Sequence, residues 1–418
     1  MTSGAGRAWL VARGVLLGLS VATCAGPGPA SVSRQPSGSS GPAGVDWVTA
    51  ADVERPEGMS ATPPSISPVG NGGGLGHPGH FSGQGNPLDV ATDGERWIAV
   101  GYTYPDFRGV TWTSTDRQRW ALGEVRPGQA DTFVLAIAAS GGRWVAVGRH
   151  GGEAAAWSST DGSVWQPGEA AGDGFLEPPE TRMTTVIATS SGLIAGGWAG
   201  LITQDGRPRF WTSVDGTAWT RRADDPGLAD GRVASIVAGP GGYVAIGTTG
   251  AVGRASGSAV WRSTDGIAWE RVHAGDALAA GAMASVTTGG PGYVAVGTSL
   301  DATKALVWLS PDGATWTLAP DQEALTYHGL KIEMDDVVAG RDGTLVGVGH
   351  FLFGTQYGQG ATWTSPDGRT WTRAPDLAVF GQGEPVSVIA DGPGYLAVGT
   401  VGAPDNFIPT VWLSPQDR

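Results

Sequence analysis

One pattern repeats seven times along this chain of 418 residues, and it restricts the possible folds more than any other feature. Each copy begins with a short apolar run that ends in glycine, such as 143–148 (RWVAVG) or 293–297 (YVAVG). A second motif follows, such as 261–269 (WRSTDGIAW), and its seventh copy runs into the C-terminus. The final glycines of the apolar runs are 47 to 52 residues apart, at positions 101, 148, 197, 247, 297, 349 and 399.

Each repeat predicts four short strands. In the fourth copy these are the apolar stretch 233–237, the run 243–247, the segment 258–263 and a last strand around Trp269. Short strands separated by Gly, Pro and Asp turns are typical of antiparallel sheets. A tandem unit of ~50 residues with four strands is typical of a propeller blade. The chain is therefore predicted to be an all-β, seven-bladed β-propeller of four-stranded antiparallel blades.

The composition agrees with this prediction and excludes other classes. Glycine accounts for 70 residues, charged residues for only 16%, and 14 of the 18 tryptophans belong to the second motif or, as Trp47, to its completion. A helical bundle would be rich in Ala, Glu, Lys and Leu, and a disordered chain would not carry so many aromatic residues.

The ends of the repeat region predict how the ring closes. The seventh copy stops before its fourth strand, and residues 44–47 (GVDW) match the Gly-x-x-Trp of 216–219 (GTAW). We therefore expect a strand near Trp47 to complete the last blade, which makes 44–418 one domain without an exposed gap.

The motif Ser-x-Asp-Gly-x-x-Trp resembles the Asp-box, or BNR repeat, of sialidase-like propellers, although it is one residue shorter. The resemblance implies the propeller fold for all seven blades. It implies no single function, because Asp-box propellers include sialidases, xyloglucan-degrading enzymes, sorting receptors and photosystem assembly factors. In such a turn the Asp accepts backbone hydrogen bonds, the Gly adopts positive φ and the Trp is buried. Two copies depart from the motif, with Arg117 in place of Gly and Gln416 in place of Asp.

The first 43 residues predict export. Residues 1–23 contain a basic start and a short apolar stretch, 14–22 (GVLLGLSVA), as in a signal peptide. The only cysteine, Cys24, follows at once and resembles a bacterial lipobox cysteine, which implies lipidation and a membrane contact through that lipid alone. The alternative is an ordinary secretory signal with an incidental cysteine. Residues 24–43 are rich in Pro, Gly and Ser and are predicted to be a tether. We expect an extracytoplasmic protein that is anchored to the outer face of the bacterial cell membrane or secreted.

The net charge and the possible metal ligands limit which partners and cofactors we expect. The net charge of -13 opposes binding to nucleic acid. His77 and His80 have metal-ligand spacing, but no cysteine or nearby carboxylate completes a set, so we expect no metal and no other cofactor. A single chain that closes its own ring is expected to be a monomer.

Function is expected on the rim opposite the Ser-x-Asp-Gly-x-x-Trp turns, where the connections between strands differ in every blade. Four residues that directly follow a strand-two glycine are expected to surround the channel mouth: Tyr102, Arg149, Trp198 and His350. The remaining ligand-binding candidates on that rim are Tyr104, Arg108, His150, Tyr327, His328 and Tyr357. Tyr327 and His328, with Glu323 nearby, are open to two interpretations, an acid–base group or a polar loop.

Two functions remain open. The first is a non-catalytic propeller, without catalytic residues, that binds a protein or a glycan. The alternative is a secreted carbohydrate-active hydrolase, which needs two carboxyl groups flanking a cleft. A sialidase would need three arginines, a tyrosine with a glutamate, and an acid, and the family's Phe/Tyr-Arg-Ile-Pro motif is not present. The carboxylates expected on the functional rim are too many to choose among: Asp106, Glu180, Asp230 and Glu384.

Overall fold

A computed structural model confirms an all-β propeller of seven blades, each built on four antiparallel strands. It describes residues 45, 47–49, 52–53 and 84–414, apart from 105, 127–128, 172–173, 178, 224, 274, 354–356, 375–379, 381–382 and 403–407. The segments predicted as signal peptide (1–23) and tether (24–43, with Cys24) lie outside the described residues, as do His77, His80 and Gln416.

The strands are numbered in chain order, and each of the first six blades uses four of them consecutively. Blade 1 contains β3 (Gln84–Thr92), β4 (Trp97–Tyr104), β5 (Gly109–Ser114) and β6 (Arg119–Glu124), and blade 2 contains β7 (Thr132–Ser140), β8 (Arg143–His150), β9 (Glu153–Ser159) and β10 (Gln166–Pro167). Blade 3 contains β12 (Thr181–Thr189), β13 (Gly192–Ala199), β14 (Arg207–Ser213) and β15 (Ala218–Arg221), and blade 4 contains β16 (Arg232–Gly239), β17 (Gly242–Ala251), β18 (Arg254–Ser263) and β19 (Glu270–Arg271). Blade 5 contains β20 (Gly281–Gly289), β21 (Gly292–Ser299), β22 (Ala305–Ser310) and β23 (Thr317–Leu318), and blade 6 contains β24 (Lys331–Ala339), β25 (Leu345–Phe353), β26 (Tyr357–Ser365) and β27 (Thr372–Arg373).

Blade 7 confirms the predicted closure. Its strands β28 (Gly383–Asp391), β29 (Gly394–Val401) and β30 (Ile408–Leu413) are completed by β1 (Val48–Thr49) from the N-terminal side. Val48 lies opposite Leu413 in the antiparallel register. The first strands of neighbouring blades contact one another all around the ring.

Two short strands add a fifth member to their blades, which the repeat did not predict. β2 (Asp52–Val53) pairs in parallel with β6 of blade 1, and β11 (Glu169–Ala170) pairs in parallel with β15 of blade 3. In the part of the chain that the structure describes, the helical segments are one short α-helix, α1 (Gly275–Ala279), and two 3₁₀ turns, Pro226–Leu228 and Glu323–Leu325. Within the described residues, every helix falls short of the length and apolar character that crossing a membrane requires.

Seven hydrophobic clusters hold the ring together, one at each junction between neighbouring blades. At the junction of blades 2 and 3, for example, Val145 and Val147 pack against Trp211. The cluster that joins blades 7 and 1 packs Leu396 against Trp112. Burial of these large indoles stabilises each junction, so the tryptophan excess serves the ring.

The turns between strands three and four contain the predicted hydrogen bonds. In blade 4, the Asp265 carboxylate accepts a hydrogen bond from the Ile267 N–H at 2.8 Å, and the Ser263 hydroxyl accepts one from the Gly266 N–H at 2.8 Å. The Trp269 indole donates to the Gly266 carbonyl at 3.3 Å. These backbone donors hold the pKa of Asp265 below its usual value. The carboxylate is therefore occupied by its own turn.

The glycine that ends each apolar run lies opposite a bulge in the first strand. In blade 5 the register shifts between Met283 and Ser285, and a Cβ on Gly297 would lie 2.0 Å from the Ala282 carbonyl oxygen. All seven glycines show the same close approach, at 1.8 to 2.1 Å. No side chain fits there, which explains why the run ends in glycine.

The expectation that the candidate residues lie in variable connections on the rim opposite the Ser-x-Asp-Gly-x-x-Trp turns is wrong for the connections between strands two and three. Taking the rim with the Ser-x-Asp-Gly-x-x-Trp turns as the lower rim, strands two and three continue as hairpins toward the opposite, upper rim; in blade 4 they pair as far as Ala251 and Arg254. Pairing satisfies backbone groups that an open loop would leave to water. Seven residues expected in loops consequently lie in strands: Tyr102, Tyr104, Arg149, His150, Trp198, His350 and Tyr357.

Candidate functional site

The upper rim carries seven residue pairs, one pair from each blade, which we call the mouth residues. In each, the residue after the strand-two glycine lies opposite a residue of the first strand, so both project from the same face of the sheet. The pairs are Asn86–Tyr102, Phe133–Arg149, Arg182–Trp198, Arg232–Thr248, Ala282–Thr298, Glu333–His350 and Glu384–Thr400. Basic residues occupy blades 2 to 4, whereas acidic residues and a histidine occupy blades 6 and 7.

The basic side is built around a buried tryptophan. The Trp198 ring lies between two guanidinium groups, 4.2 Å from that of Arg182 and 4.6 Å from that of Arg232. Burial lowers the pKa of both arginines to about 10, and the charge of Arg149 adds to the shift at Arg182. Both side chains remain cationic at neutral pH, and Trp198 acts as a packing residue here because it is 3% exposed.

The positive charge on this side is only partly paired. Arg182 forms an ion pair with Glu180 at 2.5 Å, and Arg149 forms one with Asp131 at 3.1 Å. Arg232 instead donates to the carbonyl groups of Gln204 and Gly250. The Nε atoms of Arg182 and Arg232 are buried without a hydrogen-bond partner among the residues that the structure describes. A ligand with a negative charge would complement these groups.

The acidic side consists of Glu333, Asp335, His350 and Glu384, which we call the acidic cluster. His350 Nδ1 lies 2.8 Å from Asp335 Oδ2, and Asp335 is the bulged residue of β24. Burial raises the pKa of Glu333, which is 4% exposed, to about 8. Burial alone would lower the pKa of His350, but Asp335, with the further charges of Glu384 and Glu333, raises it to about 10. At neutral pH the cluster therefore contains a protonated Glu333 and a protonated, cationic His350.

Glu333 also lines a cleft between blades 4, 5 and 6. The cleft has a volume of about 200 Å³, and Arg254, Lys331 and Asp301 contribute to its wall. Glu333 is thus the member of the acidic cluster that a ligand in this cleft would meet.

Tyr102 and Tyr104 belong to an aromatic group at the junction of blades 1 and 2. The Tyr102 ring centroid lies 4.8 Å from that of Phe133, and the Tyr104 centroid lies 5.4 Å from that of Phe107. Burial raises the pKa of Tyr102 to about 12, so its hydroxyl stays protonated. The guanidinium of Arg149 lies 4.2 Å from the Phe133 ring, which joins this group to the basic side.

The remaining sequence candidates lie in other settings. Arg108 pairs with Asp106, and His150 Nδ1 lies 2.9 Å from Thr132 Oγ1. Tyr327 stacks on Phe351 with ring centroids 4.1 Å apart, within the packing between blades 5 and 6. His328 follows it on the exposed surface, and Tyr357 lies in β26 with a side chain outside the described atoms. Of the four carboxylates singled out earlier (Asp106, Glu180, Asp230 and Glu384), the acidic cluster contains Glu384.

Sequence reasoning missed four residues of the mouth: Arg182, Arg232, Glu333 and Asp335. They lie in first strands, whereas the residues predicted from the sequence were expected in the connections between strands. They could have been found from the pairing of strands one and two, since each pair joins the residue after the strand-two glycine to a strand-one residue. The bulge in strand one shifts that pairing by one residue, so the partner cannot be counted off directly from the sequence. In the described part of the chain, no group of three or more His, Cys, Asp or Glu side chains is arranged to hold a metal ion.

No protein-family model matches the chain, and no curated protein matches its sequence. Solved structures do match, at low identity. An ancestral GH74 enzyme is 13% identical over 80% of this chain and 49% of its own, with a TM-score of 0.53. Trypanosoma rangeli sialidase in complex with sialic acid is 11% identical over 88% of this chain and 58% of its own, with a TM-score of 0.45. A GH43 β-1,3-galactosidase with galactodeoxynojirimycin is 12% identical over 56% of this chain and 90% of its own, with a TM-score of 0.38.

The chain spans about half the length of the first two of these proteins. The GH74 match shows that the propeller fold is shared, and identities this low show the fold alone.

Proposed function

We propose that this protein is a glycoside hydrolase whose substrate binds at the upper mouth of the channel. The observation that carries the proposal is the acidic cluster, in which Glu333 lines a cleft and the neighbouring His350 Nδ1 lies 2.8 Å from Asp335 Oδ2. Glycoside hydrolysis uses two carboxyl groups in different states, one that donates a proton and one that acts as base or nucleophile.

In this proposal the two carboxyl groups have different roles, which follow from their different surroundings. Glu333 is the proton donor, because its raised pKa keeps it protonated at neutral pH while it faces the cleft. Glu384 is the second carboxylate, since its negative charge acts on both Glu333 and His350. Asp335 is held by His350 and positions that histidine.

The basic side supports an acidic sugar as substrate. Arg149, Arg182 and Arg232 offer guanidinium groups to a carboxylate or sulfate on the glycan. The resemblance of the turns to those of sialidase-like propellers is consistent with this substrate class. A tyrosine nucleophile is not part of the proposal, because Tyr102 is buried with a raised pKa.

A panel of fluorogenic glycosides that contains neutral hexosides, uronides and sialosides tests the proposal on the purified chain. We expect turnover of an acidic glycoside and a loss of about 10²–10⁴-fold in kcat for Glu333→Gln. Glu323→Gln is the matched control, since Glu323 lies on an exposed 3₁₀ turn, and it should leave turnover unchanged. Absence of turnover over the whole panel, or equal rates for Glu333→Gln and the control, contradicts hydrolysis at this site.

A non-catalytic role, binding a protein or a glycan, is the second candidate. It is favoured by the size of the cleft, about 200 Å³, which is below the about 300–1,000 Å³ of typical ligand sites. The distinguishing result is calorimetric binding of an acidic oligosaccharide that Arg182→Gln abolishes, without release of any product.

We further propose that the protein is extracytoplasmic and tethered by a lipid on Cys24. This rests on the apolar stretch 14–22 and the lone cysteine that follows it. Radiolabelled palmitate should label the wild type and not Cys24→Ala, and equal labelling of both excludes the anchor.

A further inference from the structure

The cleft that Glu333 lines contains the smallest pair of mouth residues, Ala282 and Thr298 of blade 5. The other six pairs each include an arginine, a glutamate or a tyrosine. The short side chains of Ala282 and Thr298 therefore leave space at the rim of blade 5, where the cleft has a volume of about 200 Å³. Blade 4 contributes Arg254 to its wall, and blade 6 contributes Lys331 and Glu333.

The backbone of Ile332 fixes the two side chains that come from blade 6. Its N–H donates to the Ala302 carbonyl of blade 5 at 2.9 Å, and its carbonyl accepts a hydrogen bond from the Thr298 hydroxyl at 2.9 Å. The Ile332 side chain is buried in the junction of blades 5 and 6. Because side chains alternate along a strand, Lys331 and Glu333 both project from the opposite face, where they line the cleft.

The cation from blade 4, Arg254, lies at the tip of the hairpin between β17 and β18, opposite Ala251. In the same tip, the Val252 N–H donates to the Ile202 carbonyl of blade 3 at 2.8 Å. This hydrogen bond joins the tip to the neighbouring blade. It holds the backbone of Arg254 beside the cleft, although the side chain itself is exposed.

Both cations of the cleft are available to a ligand. Among the described residues, neither Arg254 nor Lys331 forms an ion pair or a hydrogen bond through its side chain. The positive charge of Lys331 acts on Glu333, so its ammonium group lies near that carboxyl group. An anionic group in the cleft would therefore gain charge-assisted hydrogen bonds from two different blades.

Two acidic residues also line the cleft, and neither is paired with these cations. The Asp301 carboxylate accepts hydrogen bonds from the Ser299 hydroxyl at 2.6 Å and the Thr303 N–H at 3.1 Å, which hold its pKa below the usual value. Asp301 is thus ionised and occupied by its own turn. Glu333 is uncharged at neutral pH, because burial raises its pKa to about 8. Of the described residues, the other three members of the acidic cluster lie outside the lining of the cleft.

The size and the walls of the cleft suit one sugar unit. A volume of about 200 Å³ is below the about 300–1,000 Å³ of typical ligand sites, so the cleft holds a single monosaccharide rather than an oligosaccharide. Leu300, which is 50% exposed, gives the wall an apolar surface for the C–H face of a sugar ring.

We propose that this cleft binds a single hexose unit that carries one anionic group, either the carboxylate of a hexuronic acid or a sulfate ester, and that Arg254 and Lys331 hold this group. The inference rests on the proposed function in that it places the anionic unit beside the carboxyl group of Glu333. Arg254 and Lys331 are then specificity-determining residues, separate from the arginines of the basic side. A neutral hexose leaves both cations without a partner and binds less tightly.

Ligand-detected NMR titrations of the full chain test the binding. The probes are glucuronate, galacturonate and a glucose sulfate ester, with glucose and galactose as their neutral counterparts. At least one anionic sugar should saturate and bind about tenfold or more tightly than its counterpart, and the identity of that sugar separates carboxylate from sulfate recognition. Failure of every anionic sugar to saturate, or equal binding of its neutral counterpart, overturns the proposal.

Charge-removing variants locate the binding. Arg254→Gln and Lys331→Gln should each weaken binding of the anionic sugar about tenfold or more, because each removes a charged hydrogen-bond donor. Arg369→Gln is the matched control, since this exposed arginine lies in the Ser-x-Asp-Gly-x-x-Trp turn of blade 6 on the lower rim, and it should leave binding unchanged. Equal effects of the three variants would indicate attraction by overall charge and overturn the proposal.

Turnover separates this inference from the proposed hydrolase function. On an anionic glycoside, Arg254→Gln and Lys331→Gln should raise KM with little change in kcat, whereas Glu333→Gln should lower kcat. If Glu333→Gln abolishes turnover but the two cation variants leave KM unchanged, hydrolysis stands and this inference fails. If no glycoside is turned over but the binding results hold, the inference stands for a cleft that binds without catalysis.

Discussion

The glycine of each Ser-x-Asp-Gly-x-x-Trp turn meets two requirements at once. Gly266 has a φ of +74°, and a Cβ at that position would lie 2.3 Å from Ile194 Cδ1 of the preceding blade. Blade 1 has Arg117 there, at a φ of +64°. Its guanidinium forms an ion pair with Asp391 of blade 7 at 3.0 Å, which compensates for the unusual residue by joining the first and last blades.

Gly266→Ala is expected to lower the free energy of unfolding by about 1–3 kcal/mol, because the variant has both a strained φ and a clash with Ile194. Gly241→Ala is the matched control in the same blade, since the nearest atom to its Cβ is 3.9 Å away. Urea denaturation of both variants measures the difference. Indistinguishable midpoints would show that the turn does not need its glycine.

The raised pKa of Glu333 predicts how the free energy of unfolding depends on pH. A group whose pKa is raised by folding stabilises the fold most at low pH, and this contribution is lost as the pH rises through the folded-state pKa. The free energy of unfolding should therefore fall between pH 4.5, the ordinary value for Glu, and about pH 8. The slope from this group is at most about 1.4 kcal/mol per pH unit.

Glu333→Gln should remove the slope between pH 4.5 and 6.5. Above pH 6.5 the free energy of unfolding should still fall in this variant, because folding raises the pKa of His350 from 6.5 to about 10. Thermal unfolding of wild type, Glu333→Gln and the control Glu323→Gln between pH 4.5 and 8 measures the effect. A slope between pH 4.5 and 6.5 that survives in Glu333→Gln assigns the pH dependence to other groups, because His350 contributes only above pH 6.5.

At the scale of strands, the sequence predicted the repeated elements well and the functional ones poorly. The glycine of the apolar run predicted strand two because the bulge opposite it allows no other residue, as at Gly297. The first strands carry no repeated residue at the rim, so Arg182 and Glu333 looked like ordinary polar positions. Fifth strands were not predicted either, because β2 and β11 lie in connections that differ between blades.

Gln322 is predicted to protect the outer edge of blade 6. Gln322→Ala removes a donor to the Arg369 carbonyl and an acceptor from the Trp371 N–H, and should cost about 1–2 kcal/mol of stability. Hydrogen exchange at the Trp371 amide should become faster. Gln322→Glu keeps the acceptor for Trp371 and should retain that protection; equal exchange in the alanine variant would contradict the edge-capping role.

At the scale of the whole molecule, residues that repeat in every blade build the ring. Residues that differ between blades make the charge of its upper rim asymmetric. Seven equivalent junctions bury tryptophan and aliphatic side chains, as Trp211 does between blades 2 and 3. The upper mouth has no such symmetry, with Arg182 and Arg232 on one side and Glu333 on the other. The number of blades could therefore be predicted from periodicity, whereas the site depends on single residues that only the assembled ring brings together.

The closure of that ring makes the N-terminal strand a determinant of stability for all seven blades. Trp47 is 6% exposed, its ring centroid lies 5.9 Å from that of Phe380, and the following residue, Val48, lies opposite Leu413. Loss of a buried tryptophan typically costs about 3–5 kcal/mol, and removal of β1 also exposes the edge of β30.

A chain that begins at residue 51 should therefore unfold at a temperature several degrees lower than one that begins at residue 44, which keeps Trp47 and β1. Trp47→Ala in the full chain should reproduce most of the loss, because it removes the indole from the junction of blades 6 and 7. Calorimetry of the three proteins distinguishes closure from a passive N-terminal segment: equal unfolding temperatures would mean that β28, β29 and β30 hold the ring without β1.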